Sequence, residues 1–230
     1  MEIIAEIGQN HNGDLELACE LIKKAKVCGA DVAKFQLYDA KNLFPKEGNE
    51  WYEYNCKTEL SFEDVEMLDR VCKEEGIEFM ASVFDVKRIR WLEDLNVKRY
   101  KIASRSIHEE HLINAVIETG KPVLISLGMW KQESFPSYSG NISYLYCISK
   151  YPTPLKELDF SKIDFSSYAG FSDHTEGVVA PITALARGAK IIEKHFTIDK
   201  TMHGPDHSGS MTPEELTEIC NYRDSLKECM

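Results

Sequence analysis

His174, in Phe171-Ser172-Asp173-His174, and His195, in Ile191-Ile192-Glu193-Lys194-His195-Phe196, each stand where an apolar, strand-like run ends. A lone strand-end histidine is most simply a hydrogen-bonded core residue. Two on successive final runs, with Asp173 and Glu193 beside them, form instead the donor set of a divalent ion such as Mn²⁺, Zn²⁺ or Co²⁺ rather than of all-oxygen Ca²⁺. Such an ion acts as a Lewis acid on a carbonyl oxygen and keeps coordination positions open for substrate.

A second group of residues suits an anion. Lys34 and Lys101 lie inside apolar runs, where a buried ammonium needs either a carboxylate partner, here Glu6 or Glu193, or a bound anion. Ser82, Ser104, Ser126 and Ser172 end four such runs, and hydroxyls converging with two lysines suit a phosphate or a carboxylate. There is no Walker or dinucleotide glycine signature, so side chains carry the anion as much as backbone does. The loops Asn10-His11-Asn12-Gly13 and His203-Gly204-Pro205-Asp206-His207-Ser208 read as turns, and Asp206 is a candidate hydroxyl acceptor at the same rim.

These groups meet only if the runs are staves of one barrel. Ile3–Glu6, Val32–Gln36, Phe79–Ser82, Tyr100–Ser104, Val123–Ser126 and Tyr144–Cys147 join the two histidine runs to make eight, the number of a closed (β/α)8 TIM barrel with its reactive groups at one rim. Alternate strand residues point inward, so Glu193 and His195 share the interior face, as do Lys34 and Gln36. Between the runs lie helices with legible ends. Asp14 caps one that Gly29 closes, Ser61 opens another that Gly76 ends, and Asp85 caps a third. Helical periodicity also covers Glu109 to Glu118 and about Gly177 to Arg187, and Thr212-Pro213-Glu214-Glu215 starts the last helix. Between Met129 and Ile142 there is room for only a short loop, so the fifth helix is missing or reduced, and after Pro154 only a short helical piece around Leu155 to Leu158 is expected. Residues 1–230 therefore read as a single compact barrel domain.

Composition narrows the partners. A formal net charge of −11 argues against nucleic acid and anionic membrane surfaces. No apolar stretch approaches the roughly 18 residues of a membrane span, and the carboxylate-interrupted start does not read as a signal peptide. Seven scattered cysteines without a C-x-x-C pair read as free thiols in a reducing cytoplasm.

Several segments together resemble the sialic acid synthase family, the phosphoenolpyruvate-dependent N-acetylneuraminate synthases and their nonulosonate relatives. They are Ile4-Ala5-Glu6-Ile7-Gly8-Gln9-Asn10-His11, Lys34-Phe35-Gln36, Lys101-Ile102-Ala103-Ser104, Tyr151-Pro152-Thr153-Pro154, Phe171-Ser172-Asp173-His174-Thr175, Glu193-Lys194-His195-Phe196 and Gly204-Pro205-Asp206. They follow the family's order over nearly the whole chain. The resemblance implies that Lys34, Ser82, Lys101, Ser104, Ser126 and Ser172 bind phosphoenolpyruvate, that His174 and His195 hold the divalent metal, and that Gln36, Tyr151 and Asp206 contact the sugar. The metal implied is Mn²⁺, with Mg²⁺, Co²⁺ or Zn²⁺ as alternatives. The implied reaction joins C3 of phosphoenolpyruvate to the aldehyde of an open-chain N-acetylated sugar; water adds at C2 and phosphate leaves. Glu193 is placed to orient or deprotonate that water.

The chain departs from well-studied bacterial members of that family at Asn12 and Ser106, where they carry glutamate, and at Ser149, where they carry asparagine. These changes imply lost sugar contacts and an acceptor other than N-acetylmannosamine. The resemblance covers the barrel without the family's C-terminal antifreeze-like domain. Two other readings share the same residues: a metal-dependent aldolase or lyase acting on a pyruvate-like substrate, and a ligand- or partner-binding barrel that has lost activity. Apolar surface bared by the missing fifth helix further implies a homodimer.

Overall fold

The computed structural model describes residues 1–229. Eight parallel strands close on themselves in sequence order: β1 (Glu2–Gly8), β2 (Val32–Leu37), β3 (Glu78–Val83), β4 (Tyr100–Ile102), β5 (Val123–Ser126), β6 (Ile142–Cys147), β7 (Gly170–Asp173) and β8 (Ile191–His195). The fold is the expected TIM barrel. Helices α1 (Leu15–Val27), α2 (Ala40–Leu43), α3 (Tyr52–Lys57), α4 (Phe62–Glu75), α5 (Val86–Asp94), α6 (Glu110–Ile117), α7 (Val179–Ala186) and α8 (Pro213–Cys229) complete the chain.

Local chemistry fixes the helix ends where the sequence placed them. The Asp14 carboxylate accepts from the amides of Glu16 and Leu17 at the start of α1. Ser61 and Asp64 form a reciprocal capping box at the start of α4, and Gly76 closes that helix in the left-handed region. Thr212 and Glu215 exchange the same pair of bonds before α8. The short helices α2 and α3, within the long connection from β2 to α4, carried no periodic signal. They are fastened instead by a buried arginine. Arg88 donates to the Tyr38 carbonyl at 2.9 Å, to Glu59 at 2.9 Å and to Asp85 at 3.0 Å.

No α-helix follows β5, as expected, and only two single 3₁₀ turns, Leu155–Glu157 and Phe160–Lys162, stand between β6 and β7. The wall is not left bare. Phe135, from the loop after β5, stacks on Tyr144 with ring centres 5.1 Å apart and meets Tyr168 edge-on at 4.8 Å, while Tyr146 packs between Tyr168 and Phe171. Half-buried aromatic residues thus pack against the strands where a helix would otherwise lie.

Inside the barrel the side chains stack in layers. At the lower end Arg99 bridges Glu2 and Glu78. Above it Ile4, Val32, Met80 and Leu124 form a buried apolar plug. The inward residues one step further along each strand are polar, and they form the floor of a cavity at the C-terminal end of the barrel, where barrel enzymes place their sites. Among the described residues no helix is long and apolar enough to cross a membrane, and all seven cysteines are free.

Because Phe135 does the packing of an absent helix, Phe135→Ala should lower unfolding stability by about 2 kcal/mol. Urea unfolding followed by tyrosine fluorescence will measure it, and a loss under a few tenths of a kcal/mol would show that the loop does not support the wall.

Candidate active site

Strand register assembles the site. Glu6 pairs with Lys34 on one side and His195 on the other, Ser82 pairs with Lys101, and Ser172 pairs with both Cys147 and Glu193. Since residues level with one another in adjacent strands face the same way, these side chains all enter the barrel. One cavity is lined by Lys34, Gln36, Ser82, Lys101, Ser104, Ser126, Tyr151, Ser172, His174, Glu193 and His195. A second opening beside it shares Tyr151, His174 and His195 and adds Pro205 and Asp206. The lysines, serines, imidazoles, Glu193, Gln36, Tyr151 and Asp206 singled out in the sequence therefore line two adjoining openings at one rim.

At its floor lie four buried charges. Lys34 sits 2.6 Å from Glu6 and 3.5 Å from Glu193, and it donates to the Ser82 hydroxyl at 3.0 Å. Lys101 is 3.5 Å from the same Glu193 and otherwise donates only to its neighbour's carbonyl, Ile102 O, at 3.2 Å. Both lysines are 2% exposed. The carboxylate partner that each needed exists, but it is shared unequally. Burial pulls the Lys34 ammonium down, yet Glu193 and Glu6 together outweigh it and leave the pKa raised. For Lys101 burial wins over Glu193, and Lys34 adds repulsion, so its pKa is lowered. Lys101 is the cation with charge to spare for a ligand.

Glu193 holds the centre. Burial acts to raise its carboxyl, but Lys101 and Lys34, with a 2.8 Å hydrogen bond from Ser172, overcome this and hold the group down at about 2. Held there by the two lysines, it is a fixed anion and a poor base. Ser126 Oγ and Ser149 Oγ are buried without partners, and Ser104 Oγ accepts from the Gly128 amide at 3.0 Å. A Cβ on Gly128 would come within 2.5 Å of Ser149 Oγ and 3.0 Å of Ser104 Oγ, so glycine keeps this hydroxyl-lined corner open.

The two imidazoles face one another across the mouth with ring centres 6.2 Å apart. His174 donates from Nδ1 to the Ile148 carbonyl at 2.8 Å, which turns its Nε2 lone pair outward. Burial lowers its pKa, favouring the neutral, ligating form. His195 Nδ1 is buried with no hydrogen-bond partner and lies 3.9 Å from Asp206. The Tyr151 ring leans on His174 at 4.0 Å, after a loop whose Tyr151–Pro152 peptide is cis. Gly8 makes room for the pair. It breaks the β1–β2 register with φ +54°, and a Cβ there would press on the Gln36 amide and on the His195 ring, at 3.2 and 3.3 Å. Two free imidazole nitrogens with an adjacent carboxylate fit a divalent cation. Among the described residues no group of three or more His, Cys, Asp or Glu is arranged to hold a metal ion.

One sequence expectation needs correction, and Asn12 and Ser106 lie away from the openings, where contacts were expected to be lost. Asp173 borders both openings but is not a spare carboxylate, because its oxygens accept from Lys194 at 2.8 Å and from the Thr175 amide at 2.8 Å. Asn12 lines neither opening; its Oδ1 accepts from Tyr54 at 2.6 Å and meets His207 Nε2 at 3.0 Å, tying the loop after β1 to the loop after β8. Ser106 is likewise turned away and donates to Glu109 at 2.9 Å. Of the three departures only Ser149 borders the cavity corner. The buried Lys194–Asp173 pair and the network of Gln9, Tyr38, Asn55 and Thr58 under the rim were not anticipated. An outward lysine between Glu193 and His195 in a buried strand was the one available signal, since it must find a partner.

The comparisons with known proteins agree with this geometry. A family model described as the NeuB family matches residues 21–230. An uncharacterized protein of Methanocaldococcus jannaschii is 42% identical over 95% of this chain and 68% of its own length. The N,N'-diacetyllegionaminic acid synthase of Legionella pneumophila is 38% identical over 94% of this chain and 69% of its own. The crystal structure of an N-acetylneuraminic acid synthetase from Leptospira borgpetersenii, in complex with citrate, superposes with a TM-score of 0.89 at 31% identity, covering 99% of this chain and 84% of that one.

The Glu193 environment sets a pH response. Its folded pKa, at about 2, lies below the ordinary 4.5, so the unfolded chain binds the proton more readily. The stability this contributes is present above pH 4.5 and is lost as pH falls toward 2. We expect the urea midpoint of the wild type to drop through that window and that of Glu193→Gln to drop less; equal slopes would contradict the assignment.

Proposed function

The chain belongs to the NeuB family, and from that premise we propose that it is a metal-assisted synthase that condenses phosphoenolpyruvate with an N-acetylated sugar aldehyde to a sialic-acid-like nonulosonic acid. The observation that carries the reading is the undercompensated ammonium of Lys101 beside unpartnered serine hydroxyls, within one mouth that also presents two facing imidazoles. The floor is charge-balanced before substrate arrives, two lysines against two carboxylates. A phosphorylated carboxylate then brings negative charge that Lys101 and hydroxyl dipoles meet only in part, and a divalent cation supplies the remainder.

On this reading the phosphate and carboxylate of phosphoenolpyruvate lie over Lys34 and Lys101, with Ser82, Ser104, Ser126 and Ser172 donating to their oxygens. His174 and His195 would hold the cation, which when bound withdraws charge from the aldehyde oxygen. Gln36, Tyr151 and Asp206, at the rim, orient the open-chain sugar. C3 of phosphoenolpyruvate forms the new bond to the aldehyde carbon, whose oxygen takes up a proton and becomes a hydroxyl. Water adds at C2, its proton passes to a base, and the C2–O bond to phosphate breaks, leaving the C2 ketone and inorganic phosphate. Glu193 orients that water from the floor. Once the lysines are engaged by substrate they no longer hold the carboxyl so low, and it becomes the better base that the step requires.

Incubation with phosphoenolpyruvate, Mn²⁺ and a panel of N-acetylated aldoses should release inorganic phosphate only when an acceptor is present. Folded, metal-loaded protein that releases none with any acceptor would sink the proposal. Lys101→Met should weaken phosphoenolpyruvate binding about 100-fold, roughly 3 kcal/mol, and should also lower unliganded stability, because it leaves the buried Glu193 carboxylate to Lys34 alone. Calorimetric titration alongside thermal unfolding will separate the two effects.

A further inference from the structure

Beside the imidazoles lies an ion pair that borders the openings, Asp173 both and Lys194 the main cavity, while its charged ends are engaged with one another. Lys194 and Asp173 are paired in register on β8 and β7 and are each 1% exposed. Their side chains leave the sheet on the side opposite Glu193 and His195, where Lys194 Nζ lies 2.8 Å from Asp173 Oδ2 and also donates to the Thr175 carbonyl. Asp173 in turn accepts from the Thr175 amide at 2.8 Å and the Thr175 hydroxyl at 3.2 Å. Each residue is the immediate chain neighbour of one imidazole, and the Thr175 bonds wrap residues 173–175 around His174. That residue is gripped from a third side as well, since its carbonyl accepts from the Thr153 amide at 2.8 Å.

We propose that the Lys194–Asp173–Thr175 clamp is a positioning device that fixes the separation of His174 and His195 and holds the His174 ring against the Ile148 carbonyl, so that both present free nitrogens to a shared cation. This rests on the metal-assisted reading above. A buried pair costs desolvation and is matched in stability by apolar residues of similar volume, so ionic groups here call for a reason other than stability. Two strand ends that must keep a set distance provide one, because the pair crosses from β7 to β8 at that level, whereas backbone bonds alone allow the ends of parallel strands to splay.

Three variants test it. Lys194→Met removes the charge, Lys194→Arg keeps it, and Thr175→Val removes only the hydroxyl bond while leaving both charges. Mn²⁺ binding is measured by electron paramagnetic resonance, and in metal-free protein the ¹⁵N imidazole signals report the His174 tautomer. Lys194→Met should weaken Mn²⁺ binding about 10- to 100-fold and mix the Nδ1–H tautomer of His174, with phosphoenolpyruvate binding retained through Lys34 and Lys101. Lys194→Arg should recover most of the Mn²⁺ affinity, and Thr175→Val should shift both readouts in the same direction by a smaller amount.

A folded Lys194→Met with wild-type Mn²⁺ affinity and an unchanged His174 tautomer overturns the clamp and leaves the synthase reading standing. If Lys194→Met does not fold, unchanged readouts in Thr175→Val overturn it equally. A wild type that binds no Mn²⁺ overturns the metal reading itself, and the clamp with it.

Discussion

Two lysines and two glutamates buried on an apolar plug are the constraint from which the rest of this molecule follows. Removing one partner of such a set leaves an uncompensated buried charge, at a cost of about 3–5 kcal/mol, so the four must be delivered together and at fixed spacing. A closed parallel barrel does this because register places Glu6 beside Lys34, and Ser172 beside Glu193, on neighbouring strands. The asymmetry inside the set underlies the proposed substrate binding. Lys34 is satisfied by two carboxylates and Lys101 by a distant share of one, so the floor is stable without a ligand and still attracts one.

The cation side is organised by a different rule. There burial lowers the His174 pKa and the Ile148 carbonyl turns its ring, while His195 Nδ1 is left without a hydrogen-bond partner. The loops after β1, β6 and β8 converge on the rim through Asn12, Tyr54 and His207 and through the Tyr151 ring on His174. Chemistry at the rim therefore depends on loop-to-loop bonds, and chemistry at the floor on strand-to-strand register.

That division explains what could be read from the sequence. Caps such as Asp14, Ser61 and Thr212 act within one turn of chain, and the strand runs carry their own apolar signal, so the barrel and its helix ends were legible. The inward direction of Lys34, Gln36, Glu193 and His195 followed from alternation alone. The partners of outward or loop residues did not. That Asn12 and Ser106 mark lost sugar contacts came from the resemblance, but the groups that engage their side chains, Tyr54 and His207 for Asn12 and Glu109 for Ser106, did not show in the spacing. Asp173 looked like a metal neighbour until Lys194, one residue before His195, was found to own it. The absent fifth helix was visible as a short interval, but the aromatic cover over it was not, since stacking between Phe135, Tyr144 and Tyr168 depends on chain geometry that spacing does not encode.

The layering of the barrel interior has a bearing on traffic. With Ile4, Val32, Met80 and Leu124 sealed beneath the polar floor and Arg99 strapped across Glu2 and Glu78 below them, the floor is closed from below. Whatever is consumed at the bottom must arrive ahead of whatever sits at the top. On the proposed chemistry the anion loads first, the hydrolytic water is trapped with it or slips past the sugar, and phosphate departs only after the larger product has cleared the way.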